Sequence, residues 1–220
     1  MSSRIKLAAL TPAPLLDEPM PLERALKWIA TTETRIKLAA EIFFAQSAYR
    51  KCVAHATRDL EHEVGGVLVG EARTDSARGK TYIRIEDILP ALFTDSSETH
   101  VTFTQNTLVH LNNQLLDLFP GKRMVGWYHT HPRFGVFLSG HDAWIQRHFF
   151  NDAAHVALVI DPYYHTAGFF GWQANQVLDT ARYVGFYEWS DLSDESIVEW
   201  HNLAPVVADW SVDASERGSR

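Results

Sequence analysis

The chain has 220 residues and a single cysteine, Cys52. No disulfide framework can close within it, and neither a Cys₄ nor a Cys₂His₂ zinc site can be built. A lone thiol fits a reducing compartment, so the expected location is cytoplasmic. Long apolar runs are missing too. A membrane span needs about 20 apolar residues, whereas the longest apolar stretches, Val64–Val69 and His155–Ile160, are strand-sized. Leu7–Leu10, behind Arg4 and Lys6, is too short for a signal-peptide core. Positive charge is also scarce: 20 basic side chains face 27 acidic ones, a net of −7. A nucleic-acid binder needs a basic face to neutralise phosphates, so that class is excluded. The deficit is local, since residues 187–220 carry −6 of the net charge and leave a nearly neutral body.

What the chain does have is histidine, 11 in all. With almost no cysteine beside them, they point toward metal chemistry based on imidazole and carboxylate. The length suits one large domain with extensions. Residues 1–34 read as an N-terminal extension, broken by Pro12, Pro14, Pro19 and Pro21 before a short helix over Leu22–Ala30. The heptamers Arg4–Leu10 and Arg35–Glu41 are almost identical, too little for a repeat architecture. Strands are predicted at Ile36–Phe44, Val64–Val69, Thr81–Ile88, His100–Thr104, Met124–His131, Val156–Ile160 and Ala167–Trp172. Ser47 is placed as the cap of a helix whose stripe is Ala48, Cys52, Ala56 and Leu60. Asn106 is placed as the cap of another, with the stripe Leu108, Leu111, Leu115 and Leu118. A third helix covers Ser139–Phe150. With no regular βαβ alternation, the fold class is α+β, an αβα sandwich over residues 35–186. The acidic tail, 187–220, contains Trp189, Trp200 and Trp210. It is expected to dock by these rings and offer carboxylates to a basic partner.

The chemistry lies in His129-Thr130-His131, then seven residues, then Ser139-Gly140-His141-Asp142. Residues two apart on a strand share a face, so His129 and His131 can present two imidazoles to one ion. Asp142, in the first turn of the following helix, can supply a carboxylate as third ligand. Two imidazoles, one carboxylate and an open fourth position make a catalytic zinc set. Glu63, at the start of a neighbouring strand, is the candidate general base. Ser139 can cap the helix, hydrogen-bond a developing oxyanion, or do both. The reaction these parts suit is amide hydrolysis. Two other zinc chemistries are excluded. His62-Glu63 is followed by Gly66 where a zincin needs its second histidine, and no Pro-Cys-x-x-Cys is present for a deaminase. His141 reads as a surface helix residue, and Cys52 as core.

This pattern, Glu63 upstream of Gly66 and Leu68, then His129, His131, Ser139 and Asp142, resembles the JAMM motif of the MPN (Mov34/PAD-1, JAB) metalloproteases. All five functional positions match, and the flanks Val125–Tyr128 and Phe134–Leu138 are similar to deubiquitinating members. The resemblance implies an MPN/JAB-type curved mixed β-sheet flanked by helices, with one Zn²⁺ at a strand–loop–helix junction. It implies hydrolysis of the isopeptide or peptide bond after the C-terminus of a ubiquitin-like protein, with E1- and E2-like conjugation enzymes as further partners. Trp127, Arg133 and Phe134 are candidate substrate contacts. Thr130 stands where the family commonly has Ser, and is expected to be harmless because it faces away from the metal. Arg133 stands where Gly is usual, which places a cation at the rim of the site. The segment from Asp142 to the next strand is short, as in compact bacterial members, so a polyubiquitin-linkage specialist is not expected. Two rivals stand beside deconjugation: trimming of a sulfur-carrier precursor, and a non-catalytic MPN scaffold.

Overall fold

A computed structural model describes residues 15–32, 36–91, 105–190 and 195–206. The heptamer Arg4–Leu10, the strand expected at His100–Thr104, and Trp210 lie outside the described residues. The described strands are β1 (Leu16–Asp17), β2 (Ala25–Ala30), β3 (Ala40–Ala45), β4 (Gly65–Asp75), β5 (Lys80–Pro90), β6 (Arg123–Thr130), β7 (Val156–Asp161), β8 (Thr166–Gly171), β9 (Tyr187–Trp189) and β10 (Leu203–Pro205). The helices are α1 (Gln46–Ala56), α2 (Gln105–Leu118) and α3 (Gly140–Phe149). One mixed sheet runs β10-β2-β9-β3-β5-β4-β6-β7-β8, with β1 beside the far end of β4. The pairs β3·β5, β3·β9 and β6·β7 are parallel, and the other pairs on that path are antiparallel.

Each sheet face has its own core, as the period of two along a strand requires. On one face α1 packs Ala48, Tyr49, Cys52 and Ala56 against Phe44, Leu68, Tyr128 and Leu158. On the other, Leu111 and Leu115 of α2 and Ile145 of α3 join Val67, Trp127, Val159 and Phe170. Helices therefore cover both faces, and the α+β reading with its αβα layering holds. Among the described residues no helix is long and apolar enough to cross a membrane.

Several local expectations need correction. Leu22–Ala30 is not a helix but a 3₁₀ turn at Leu22–Arg24 followed by β2. Antiparallel partners on both sides, β9 and β10, override its helical propensity. Strand β3 begins only at Ala40. Helix α1 starts one residue ahead of Ser47, with Ala45 at the cap and no side-chain cap bond. It ends at Ala56, which leaves Leu60 41% exposed in the following loop. Asn106 lies within the first turn of α2 rather than at its cap, and Leu118 is 62% exposed at its end. The described parts of both extensions pair within the sheet through β2, β9 and β10.

Candidate metal centre

Strand register assembles most of the site. In the antiparallel β4·β6 pair, Gly65 lies opposite His129. The pairing continues past the end of β4, since the Thr130 amide donates to the Val64 carbonyl at 2.8 Å. One further step brings Glu63 opposite His131, and its Oε1 lies 3.8 Å from His131 Nε2. Gly66 permits the close approach of β4 to its neighbours. A Cβ there would collide with the Leu89 carbonyl and stand 2.9 Å from the Tyr128 ring.

The carboxylate comes from α3. Ser139 is its N-cap, with Oγ accepting from the Asp142 amide at 3.2 Å and its own amide donating to Asp142 Oδ2 at 2.7 Å. This reciprocal capping box fixes the Asp142 side chain as well as the helix end. Asp142 Oδ1 lies 3.4 Å from His129 Nε2, and Oδ2 lies 3.5 Å from His131 Nε2. The two Nε2 atoms are 3.0 Å apart. Burial alone would raise the Asp142 carboxyl. The two imidazoles beside it and the Ser139 side chain outweigh burial, and hold the group well below the usual carboxylate range.

One ligand atom from each of His129, His131 and Asp142 lies within 4.8 Å of the others, and all three residues are buried. Imidazole lone pairs and carboxylate oxygens crowded at one buried point repel unless positive charge lies among them. The donor set therefore fits a divalent cation. Two nitrogens and one oxygen suit zinc better than calcium or magnesium, which take oxygen.

Supporting contacts differ from expectation at two residues. Trp127 has no exposed surface. It lies under His129 with ring centroids 4.5 Å apart and planes 9° from parallel, while Nε1 donates to Gln146 Oε1 at 2.8 Å. Sealed between His129 and α3, the ring backs a candidate ligand and is not the substrate contact expected from the sequence. Thr130 does face away from the candidate ligands, but it is not idle: its hydroxyl accepts from the Val64 amide at 2.9 Å and pins the residue after Glu63. The Nδ1 atoms of His129 and His131 find no hydrogen-bond partner among the described residues. Ring packing therefore does the orienting, by Trp127 under His129 and by Phe137 4.8 Å from the His131 ring.

Glu63, Ser139 and Phe134 border an open cleft. A cavity of about 370 Å³ is lined by Glu63, His131, Phe134, Phe137, Ser139, His141 and Asp142. Phe134 stands 73% exposed at its edge. Arg133 is not part of the lining and turns instead to Glu61. Phe137 and His141 also line it, although sequence reasoning read most of the aromatic cluster containing Phe137 as core and His141 as a surface helix residue. Both lie inside the segment from His131 to Asp142, and proximity to the motif is the signal that could have found them. Asp161, at the end of β7, is fully buried. It accepts the amides of Arg133, Gly135, Tyr163 and Tyr164 at 2.9–3.2 Å, anchoring the loop that joins His131 to Ser139.

A family model described as JAB1/Mov34/MPN/PAD-1 ubiquitin protease matches residues 40–153, which include Glu63, His129, His131, Ser139 and Asp142. The COP9 signalosome complex subunit 5 of Eremothecium gossypii is 28% identical over 167 residues, 68% of this chain and 37% of the relative. The 26S proteasome non-ATPase regulatory subunit 14 of Drosophila melanogaster is 26% identical over 129 residues, 58% of this chain and 40% of the relative. The ubiquitin carboxyl-terminal hydrolase RPN11 of Saccharomyces cerevisiae is 25% identical over 149 residues, 67% and 47% of the two chains. The chain thus spans less than half the length of these relatives. The solution structure of a protein from Desulfitobacterium hafniense aligns with a TM-score of 0.48 at 20% identity, covering 70% of this chain and 94% of that one. From its glycine-lined strand to the capped helix behind its paired histidines, the chain belongs to the JAB1/Mov34/MPN/PAD-1 ubiquitin protease family.

Proposed function

We propose that this protein is a zinc-dependent peptidase or isopeptidase that cleaves the amide bond after the C-terminus of a ubiquitin-like protein. One observation carries the reading: the Glu63 carboxylate lies 3.8 Å from His131 at the edge of the buried group formed by His129, His131 and Asp142. His129, His131 and Asp142 would hold the ion. When bound, zinc supplies Lewis acidity, which polarises a carbonyl and acidifies water. Glu63 takes the proton from the attacking water and delivers it to the amine as the C–N bond breaks. Ser139, which caps the helix through Oγ and lies on the wall of the cleft, would steady the oxyanion of the tetrahedral intermediate through its hydroxyl. Phe134 and Phe137 flank the open cleft, which suits an extended tail with small residues next to the scissile bond. The names of the relatives, a ubiquitin carboxyl-terminal hydrolase among them, support a ubiquitin-like substrate. E1- and E2-like enzymes that attach such a modifier are the companion partners of this reading.

The test is cleavage of a ubiquitin-like protein bearing a C-terminal extension, alongside metal analysis. The full chain should contain one zinc, and His129→Ala should lose it. Glu63→Gln should keep the zinc and the fold while kcat falls about 10²–10⁴-fold, the usual contribution of a general base. Full activity in Glu63→Gln would overturn the mechanism. Absence of tightly bound metal would favour a non-catalytic scaffold.

A further inference from the structure

The loop that carries Glu63 has no regular secondary structure, and something must hold the carboxylate in place. On its far side, Val64 is pinned to Thr130 through both its amide and its carbonyl. On its near side, Asp59 turns the chain by accepting the amides of Glu61 and His62 at 2.9 Å. Both of these bonds are local to the loop. Among the described residues, Arg133 makes a contact that ties its near side to the loop after His131. The guanidinium donates to Glu61 Oε1 at 2.9 Å and lies 4.7 Å from the centroid of the Tyr163 ring.

Arg133 is itself strained. Its φ is +69°, in the left-handed region that costs a side-chain-bearing residue roughly 1–2 kcal/mol. The Arg133 and Glu61 side chains are 51% and 64% exposed, so their pair adds little to global stability. A strained residue holding a nearly stability-neutral contact beside a reactive centre calls for a local explanation. Arg133 lies two residues after His131, and Glu61 two residues before Glu63. The pair thus spans the two segments that deliver a candidate ligand and the candidate base. The Asp161 carboxylate secures the Arg133 amide beneath, at 3.2 Å.

The geometry points to Arg133 as a positioning residue: stacked on Tyr163 and paired with Glu61, it latches the Glu63 loop to the loop after His131 and so sets the approach of the base to the metal centre. This rests on the hydrolase reading only for its effect on turnover. The latch itself is a physical coupling that can be measured without a substrate.

The test uses the full chain and three variants: Arg133→Gly, Glu61→Arg, and the charge swap Arg133→Glu with Glu61→Arg. Hydrogen exchange by mass spectrometry reads the loop, and a ubiquitin carrying a C-terminal fluorogenic amide is the probe for turnover. From the typical size of a rim ion pair plus a cation–π contact, exchange over residues 59–64 should rise about fivefold in each single variant, with β6 and α3 unchanged. The charge swap should restore at least half of that protection. Thermal stability should barely move in Arg133→Gly, because the relieved strain offsets the lost contacts. In turnover, kcat should fall by a similar factor with KM held. Unchanged exchange in Arg133→Gly, or a swap that restores nothing, overturns the latch. If the parent protein does not cleave the probe, the functional reading fails on that substrate while the exchange results still decide the latch.

Discussion

At the scale of single residues, the site depends on side chains that do two things at once. Ser139 caps α3 and lies on the wall of the cleft. Replacing it separates the roles. Ser139→Ala should lower stability by about 1 kcal/mol, the typical worth of an N-cap, in urea unfolding. If the hydroxyl also steadies the oxyanion, kcat should drop by 10²-fold or more, which is about 2.7 kcal/mol and far more than the cap alone explains. A loss in kcat no larger than the loss in stability would reduce Ser139 to a cap. Asp142 shows the same economy, because the carboxylate that completes the cap is the one facing both histidines. These dual roles were legible in the sequence, since Ser-x-x-Asp ahead of an amphipathic helix is a capping pattern in its own right. The role of Trp127 was not, because stacking under His129 requires knowing which way strand and helix face each other.

At the scale of elements, the β4·β6 register does the decisive positioning. Glu63 and His131 are 68 residues apart in the chain, and only the pairing of Gly65 with His129 makes them neighbours. A slip of one residue would turn Glu63 to the opposite face. Gly66 helps to hold that register by letting β4 sit close to β5 and β6. Gly66→Ala should therefore cost about 1–3 kcal/mol, as overpacking does, and should impair turnover beyond the stability loss by displacing Glu63. Denaturant midpoints measured with kcat would check this, and a fully stable, fully active variant would refute it. The motif showed that these residues belong together. Spacing alone could not supply the register, because a period of two is satisfied by many alignments.

For the whole molecule, both extensions prove to be part of the sheet where they are described. Trp200 is 4% exposed and packs on Tyr49 at 4.9 Å and on Phe186 at 5.7 Å. Glu188 is buried, accepting from Trp28 Nε1, Gln46 Nε2, Ser196 Oγ and the Ile197 amide at 2.6–3.0 Å. Glu188 is therefore not offered to a partner, whereas Glu195 and Glu199 are exposed, and the expected docking by tryptophan is seen at Trp200. Removing residues 187–220 should destabilise the protein by at least the 3–5 kcal/mol typical of losing one buried large aromatic. A melting curve would show this, and an unchanged melting temperature would return the tail to a loosely attached role.

The division between sequence and structure follows from the range of the forces involved. Short-range patterns settled the residue types: the histidine pair two apart, the Ser139 cap with its Asp142, the apolar stripe of Leu111 and Leu115, and the strand core at Val67 and Leu68. Those depend on neighbours within a turn or a strand, so one sequence suffices to read them. Long-range pairing settled the rest. Leu22–Ala30 became a turn and a strand because β9 and β10 flank it. Trp127 went beneath a candidate ligand, Glu188 went inside, and Arg133 turned to Glu61. Each outcome required knowing which distant backbone and side-chain groups would be adjacent, and only the folded sheet, by satisfying its hydrogen bonds and burying both faces at once, decides that.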